Sequence, residues 1–168
     1  MERLEQKAIG EFRDIIRYAD GKVEVTPWTR NTIVNSVNKA IAYALAQKGG
    51  ATYWAIGSGA ESWDTNPVDP FPTDTRLTNE IGRKEIPASA IKFLDSQGSE
   101  TSEVTNIIQI TLVFGADEIN GKWREFAIVG GGATASANSG ILINHKTHGV
   151  IRKNNTMEIE RQMKFTFN

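Results

Sequence analysis

One junction constrains this chain more than any other feature. An apolar, helix-like run from Thr32 to Gln47 (TIVNSVNKAIAYALAQ) leads straight into Thr52–Gly59 (TYWAIGSG). Within the run Ile33, Val37, Ile41 and Leu45 recur at every fourth position, so a helix here carries one stripe built for burial. Lys48, Gly49 and Gly50 supply the stop: a cation beside the last helical carbonyls, then residues that tolerate positive φ. The block that follows reads as a short aromatic strand ending in the turn Gly57-Ser58-Gly59. A helix covering a sheet, with no catalytic signature beside it, points to a building block.

The rest of the chain supplies a second helix and several strands. From Glu2 to Ala19, residues Leu4, Ala8, Phe12, Ile15, Ile16 and Ala19 fall on one helical stripe, and Asp20-Gly21 breaks it. Lys22–Thr26 alternates as a short strand that Pro27 ends. Ala60–Thr75 holds three prolines among Asp and Asn, which excludes helix and central strand. Its Trp63 and Phe71 imply that it is pinned to a surface. Leu77–Lys84 reads as a helical turn and Ala90–Leu94 as a strand. Val104–Phe114 is apolar on much of both faces, as a central strand is. Asn120-Gly121 then turns the chain back through Trp123–Val129. A Gly/Ala/Ser-rich loop, Gly130–Gly140, leads to Ile141–Asn144 and a turn near His148-Gly149. At the C-terminus Met157, Ile159, Arg161, Met163, Phe165 and Phe167 alternate with Glu158, Glu160, Gln162, Lys164 and Thr166, the cleanest strand of all. The expected fold class is α+β, with two N-terminal helices packed on an antiparallel β-sheet or β-sandwich. Residues 1–21 form a helical extension and 22–168 a single helix-plus-sheet domain in this reading.

Composition removes whole classes of function. A chain of 168 residues with 39% apolar and 23% charged residues suits one soluble globular domain. A net charge of −1 gives no basic excess for nucleic acid. There is no cysteine for disulfides, thiolate metal sites or a thiol nucleophile. No apolar run approaches the ~20 residues that span a bilayer. MERLEQK lacks the apolar core of a Sec-type signal, so any route out of the cell is expected to be lysis or assembly.

The candidate chemistry is thin. His145 and His148 are the only histidines, and three apart on a strand they point to opposite faces. The acidic loop Asp64, Asn66, Asp69, Asp74 lacks the EF-hand spacing. Gly57-Ser58-Gly59 and Gly130-Gly131-Gly132 open no phosphate-binding helix, and GxSxG is absent. Glu158 and Glu160 read as solvated charge on a strand face. No catalytic, metal or cofactor residue is assigned.

Taken in order, the blocks NTIVNSVNKAIAYAL, TYWAIGSGAESWDT, DTRLTNEIGRKEI, ITLVFGADEINGKWREFAIVGG and TMEIERQMKFTF resemble a family of small structural proteins encoded in the tail modules of tailed bacteriophages and prophages. In that family a helix precedes an "aIGtG" turn. A "dt.L..E..R" block follows, then a strand pair with "i.E.gl", whose place Trp123–Ile128 fills here. The resemblance spans about Asn31–Phe167, leaving Glu2–Ala19 as an addition. It implies a non-enzymatic virion subunit of a phage tail or phage-tail-like particle, assembled in the host cytoplasm. The absence of a long shaft favours an adaptor, collar or fibre-attachment role. Expected partners are further copies of the chain and other tail, baseplate or neck proteins, without nucleic acid, membrane or cofactor. Expected contact residues are Phe12 and Ile16 on the added helix and Trp63 and Phe71 in the proline-rich loop. The rival reading is a receptor- or carbohydrate-binding module at the tail tip.

Overall fold

The C-terminal strand Met157–Phe167 organises the molecule, because it is paired along both edges. The computed structural model describes residues 8–37, 41, 44 and 50–167. Their strands are β1 (Ala8–Tyr18), β2 (Val23–Val25), β3 (Thr29–Ile33), β4 (Ala51–Gly57), β5 (Glu80–Glu85), β6 (Ile91–Leu94), β7 (Glu100–Thr101), β8 (Ile107–Phe114), β9 (Gly121–Gly130), β10 (Ile141–Leu142), β11 (Asn144–Lys153) and β12 (Met157–Phe167). The order across the sheet is β5-β4-β9-β11-β3-β1-β12-β8-β6-β7, with β10 added beside β9 and β2 beside β1. Every pairing is antiparallel. β12 pairs with β1 from Tyr18↔Met157 to Ala8↔Phe167, and with β8 from Phe114↔Ile159 to Ile107↔Thr166.

This architecture overturns the α+β expectation. Among the described residues there is no helix of seven residues or more: besides the helical positions Val37, Ile41 and Ala44 there are two short 3-10 turns, Glu61–Asp64 and Ala88–Ala90. Residues 8–18 of the expected first helix are a central strand. The stripe of Phe12 and Ile16, four apart, fits a helix and a strand equally, because four is also an even number of strand steps. Tertiary pairing decides between them. Gly10, Phe12, Asp14 and Ile16 are buried while their neighbours are less so, which is the period of two. Gly10 within the segment and the β-branched and aromatic residues Ile15, Ile16 and Tyr18 also favour extended chain. Of the second expected helix, Thr32 and Ile33 end β3, Val34, Asn35 and Ser36 are non-helical, Val37, Ile41 and Ala44 are helical, and residues 38–40, 42–43 and 45–47 lie outside the described residues. The expected helical turn at Leu77–Lys84 is largely β5, zipped onto β4 through Trp54↔Lys84 and Ala55↔Arg83.

The sheet folds over on itself, so its two halves face each other as in a sandwich. Phe12 of β1 meets Phe126 of β9 edge-on at 5.0 Å, and Phe114 of β8 meets Trp123 at 5.1 Å. Trp54, Ile56, Ile110, Ile128, Ile159 and Met163 complete a core sealed from solvent. Arg161, expected from its alternation to lie with the apolar residues of β12, does so. It is fully buried, forks onto Asp14 at 2.6 and 2.8 Å, and its guanidinium lies 4.5 Å from the Phe126 ring centre. A second, smaller cluster of Val34, Ala55, Leu77, Ala127, Val129 and Leu142 lies on the opposite side of β4 and β9. From Trp123 onward β9 is therefore buried on both faces.

Truncation after Asn155 should abolish soluble folding. It removes the partner of both β1 and β8 and the buried side chains Ile159, Met163 and Phe165, each worth about 1.5–3 kcal/mol. Circular dichroism and a thermal melt check this, with loss of the cooperative transition as the expected result.

Candidate functional site

Strand β9 departs from strict alternation where it crosses the second cluster. Trp123, Phe126 and Ile128 all enter the main core, whereas Ala127 and Val129 join the other cluster. Arg124 and Glu125 are thus left side by side on the outer face. Opposite them, the β11 register shifts between Thr147 and Ile151. Such a shift adds residues to one strand and re-aims its neighbours' side chains. A cation and an anion consequently sit together beneath the irregular segment that follows β4.

Glu125 is fully buried and gathers four donors from three stretches of chain. Its Oε1 accepts the Asn79 and Gly59 amides at 2.8 and 3.2 Å, and its Oε2 accepts the Thr78 amide at 3.0 Å and His145 Nε2 at 2.9 Å. The other imidazole nitrogen, Nδ1, lies 2.7 Å from Asp74 Oδ2, which also accepts the Phe71 amide at 3.0 Å. Burial by itself pushes the Glu125 carboxyl up, but the His145 bond and the two amides outweigh it and hold the group below its usual range. Burial likewise pushes His145 down, and its bonds to Glu125 and Asp74 outweigh that and raise it above 6.5. Geometry demands the same: with a carboxylate oxygen at each nitrogen, both must carry a proton.

The neighbouring contacts fasten the segment down. Arg124 Nε donates to Asp64 Oδ1 at 2.5 Å and its Nη1 to Ser58 O at 2.8 Å, while Arg152 reaches Asp64 Oδ2 at 3.1 Å. Thr147 Oγ1 donates to Val68 O at 2.6 Å, and the Asn35 amide to Pro72 O at 2.7 Å. Glu80 and Arg83 form a bidentate pair at 2.6 and 2.9 Å. Arg83 continues to Thr134 O and Ser139, and Glu80 takes the Asn138 amide, so the glycine-rich loop is tied down beside them. Two glycines make room. A Cβ at Gly57 would lie 2.5 Å from Glu125, and Gly59, at φ +52°, would bring one into the Trp63 ring.

The expected contact residues separate clearly. Phe12 and Ile16 belong to the core, and Trp63, half-buried, lies over Gly59 and the Arg124 stem. Phe71 is 65% exposed, and Val68 in the same segment is 53% exposed. The histidines point to opposite faces as their spacing implies: His145 enters the carboxylate cluster, and His148 tilts against the inward-facing Phe126 ring at 6.1 Å. Sequence reasoning missed the Asp74–His145–Glu125 alignment entirely. The available signal was an Arg-Glu pair inside an apolar strand.

With both nitrogens protonated toward carboxylates, the His145 imidazole itself has no free lone pair for a metal ion. Among the described residues no cluster of metal-binding side chains converges. No protein-family model, no curated protein and no solved structure matches the chain.

Two outcomes follow from this geometry. Gly57→Ala should destabilise the fold by about 1–3 kcal/mol through overpacking against Glu125, read by chemical denaturation. His148 is pushed by burial, aided by the charge of Arg161, from 6.5 to about 4. Its folded value lies below its unfolded one, so stability falls as pH drops from 6.5 toward 4, by at most about 3 kcal/mol, and this contribution then levels off. Denaturation midpoints across that range should show the loss, and His148→Phe should flatten it.

Proposed function

We propose that this protein is a non-enzymatic structural subunit of a phage tail or phage-tail-like particle, working as a homo-oligomer in an adaptor, collar or fibre-attachment position. The observation that carries this reading is the display of Phe71. An exposed aromatic side chain sits on a segment whose backbone is anchored by Asp64, Asp74, Val68 and Pro72. Preorganised aromatic anchors are the residues that dominate protein interfaces, because little ordering entropy remains to be lost on contact. The ionisable clusters around that segment are spent on holding it. The ordered blocks that resemble tail-module proteins add weight, since Gly57, Gly59, Asp74 and Glu125 fall in them and serve this one anchoring arrangement. In this reading the partners are further copies and neighbouring tail, baseplate or neck proteins, and the destination is the virion.

One feature favours the rival reading of a receptor- or carbohydrate-binding module. A cleft of about 350 Å³ opens between β1 and β11, lined by Asp14, Thr26, Lys146 and His148 among others. Its lining combines these polar groups with the apolar Phe12, Pro67 and Ile151, the mixed character of a small-ligand site.

Phe71→Ala should weaken self-association at least about tenfold, the equivalent of roughly 1.4 kcal/mol, while leaving the melting transition of the protomer unchanged. Analytical ultracentrifugation of wild type and variant decides it. A variant that associates as well as wild type removes the assembly reading, and glycan binding that is lost in Lys146→Ala would replace it with the rival.

A further inference from the structure

We infer that the Asp74–His145 contact is a proton-operated latch on the segment that displays Phe71: protonated His145 holds it closed, and loss of that proton frees Asp74 and, with it, the Phe71 amide. The latch follows from the geometry of a single atom. Asp74 Oδ2 accepts from both His145 Nδ1 at 2.7 Å and the Phe71 backbone N–H at 3.0 Å, so the same carboxylate oxygen joins the histidine to the aromatic anchor.

A neutral imidazole has one N–H and one lone pair. Once His145 loses its second proton, one of its two carboxylate contacts must set lone pair against lone pair. The two carboxylates are not equal competitors for the remaining proton. Glu125 is sealed from solvent and cannot exchange a lost donor for water, whereas the Asp74 side chain is 24% exposed and can. The remaining N–H therefore stays on Nε2, facing Glu125, and the Asp74 side opens.

Among the described residues, the charged groups that act on His145 are these two carboxylates: Glu125 from β9 and Asp74 from the loop. On its other flank His145 pairs with Thr32 of β3, which brings no charge. The sign is fixed. His145 is raised above 6.5 by its partners, so the latch is fully closed below that value and is lost as pH rises through the elevated one. Opening is local, because Asp64 remains held by Arg124 and Arg152, Glu125 keeps its three amides, and the Asp74 N–H still donates to Phe71 O at 3.0 Å. What is lost is the fixed position of the Asp74 carboxylate on the Phe71 amide.

The consequence for assembly rests on the reading of Phe71 as a contact between copies; the latch does not. Both are therefore measured separately. On the isolated 168-residue chain, NMR follows the His145 imidazole shifts and the protection factor of the Phe71 amide through an alkaline titration. The expected result is an imidazole titrating above 6.5 and a Phe71 protection factor that falls with the same midpoint. By linkage, protection should fall about tenfold for each unit by which Asp74 raises the histidine. Asp74→Ala, which removes the acceptor of both the imidazole and the Phe71 amide, should lower the His145 midpoint and leave Phe71 poorly protected at every pH. A histidine titrating at or below 6.5, or a Phe71 amide whose protection is constant through the titration, overturns the latch. A titrating latch combined with normal self-association of Phe71→Ala would overturn the assembly reading alone.

Discussion

A carboxylate sealed inside the protein is tolerable only if donors surround it, and Glu125 sets that condition for much of this fold. A buried, uncompensated carboxylate is several kcal/mol unfavourable, far beyond what a few apolar contacts return. Its donors come from the turn after β4, from the residues leading into β5, and from β11. Those three stretches must therefore arrive together for β9 to sit where it does. Because β9 is buried on both faces, the segment that bridges β4 and β5 is a structural lid for the sheet as much as a surface loop.

The main core carries a comparable ionic element. Arg161 and Asp14 face each other across β12 and β1, directly in register, with aromatic rings of Phe126 and Trp123 around the guanidinium. Such a pair adds little net stability against an apolar replacement, but it penalises a slipped register, since a shift of one residue would strand a buried charge. The two histidines of β11 show the same economy of position. One sits between carboxylates and is held charged, whereas the other lies against an aromatic ring near Arg161 and is held neutral.

Much of this was legible in local sequence. The terminal strand, the irregular proline segment and the opposite facing of His145 and His148 follow from period-two patterning and turn chemistry. The hairpin expected at Asn120-Gly121 does not form, because β8 pairs with β6 and β12 while β9 pairs with β4, β10 and β11, so that turn carries the chain from one half of the sheet to the other. The site was not. Asp74, Glu125 and His145 are separated by long stretches of chain, and nothing near any one of them announces the others. Phe71 and Trp63 looked equivalent as loop aromatics; only the space over Gly59 separates the one that folds back from the one left in solvent.

The sequence by itself determined where strands of one buried face must lie, because a polar residue at every second position leaves a strand no other way to bury its apolar half. It also determined that cysteine chemistry and a nucleotide-binding glycine loop have no place here. It did not determine whether residues 8–18 form a helix or a strand, since apolar residues four apart satisfy both periods. Only the tertiary structure decided that, by offering β12 a free edge whose backbone groups demand a partner along its whole length. The same holds for Glu125: sequence places a glutamate in an apolar strand, and only the fold, by breaking the alternation of β9 and bringing His145 and three amides to meet it, makes that placement stable.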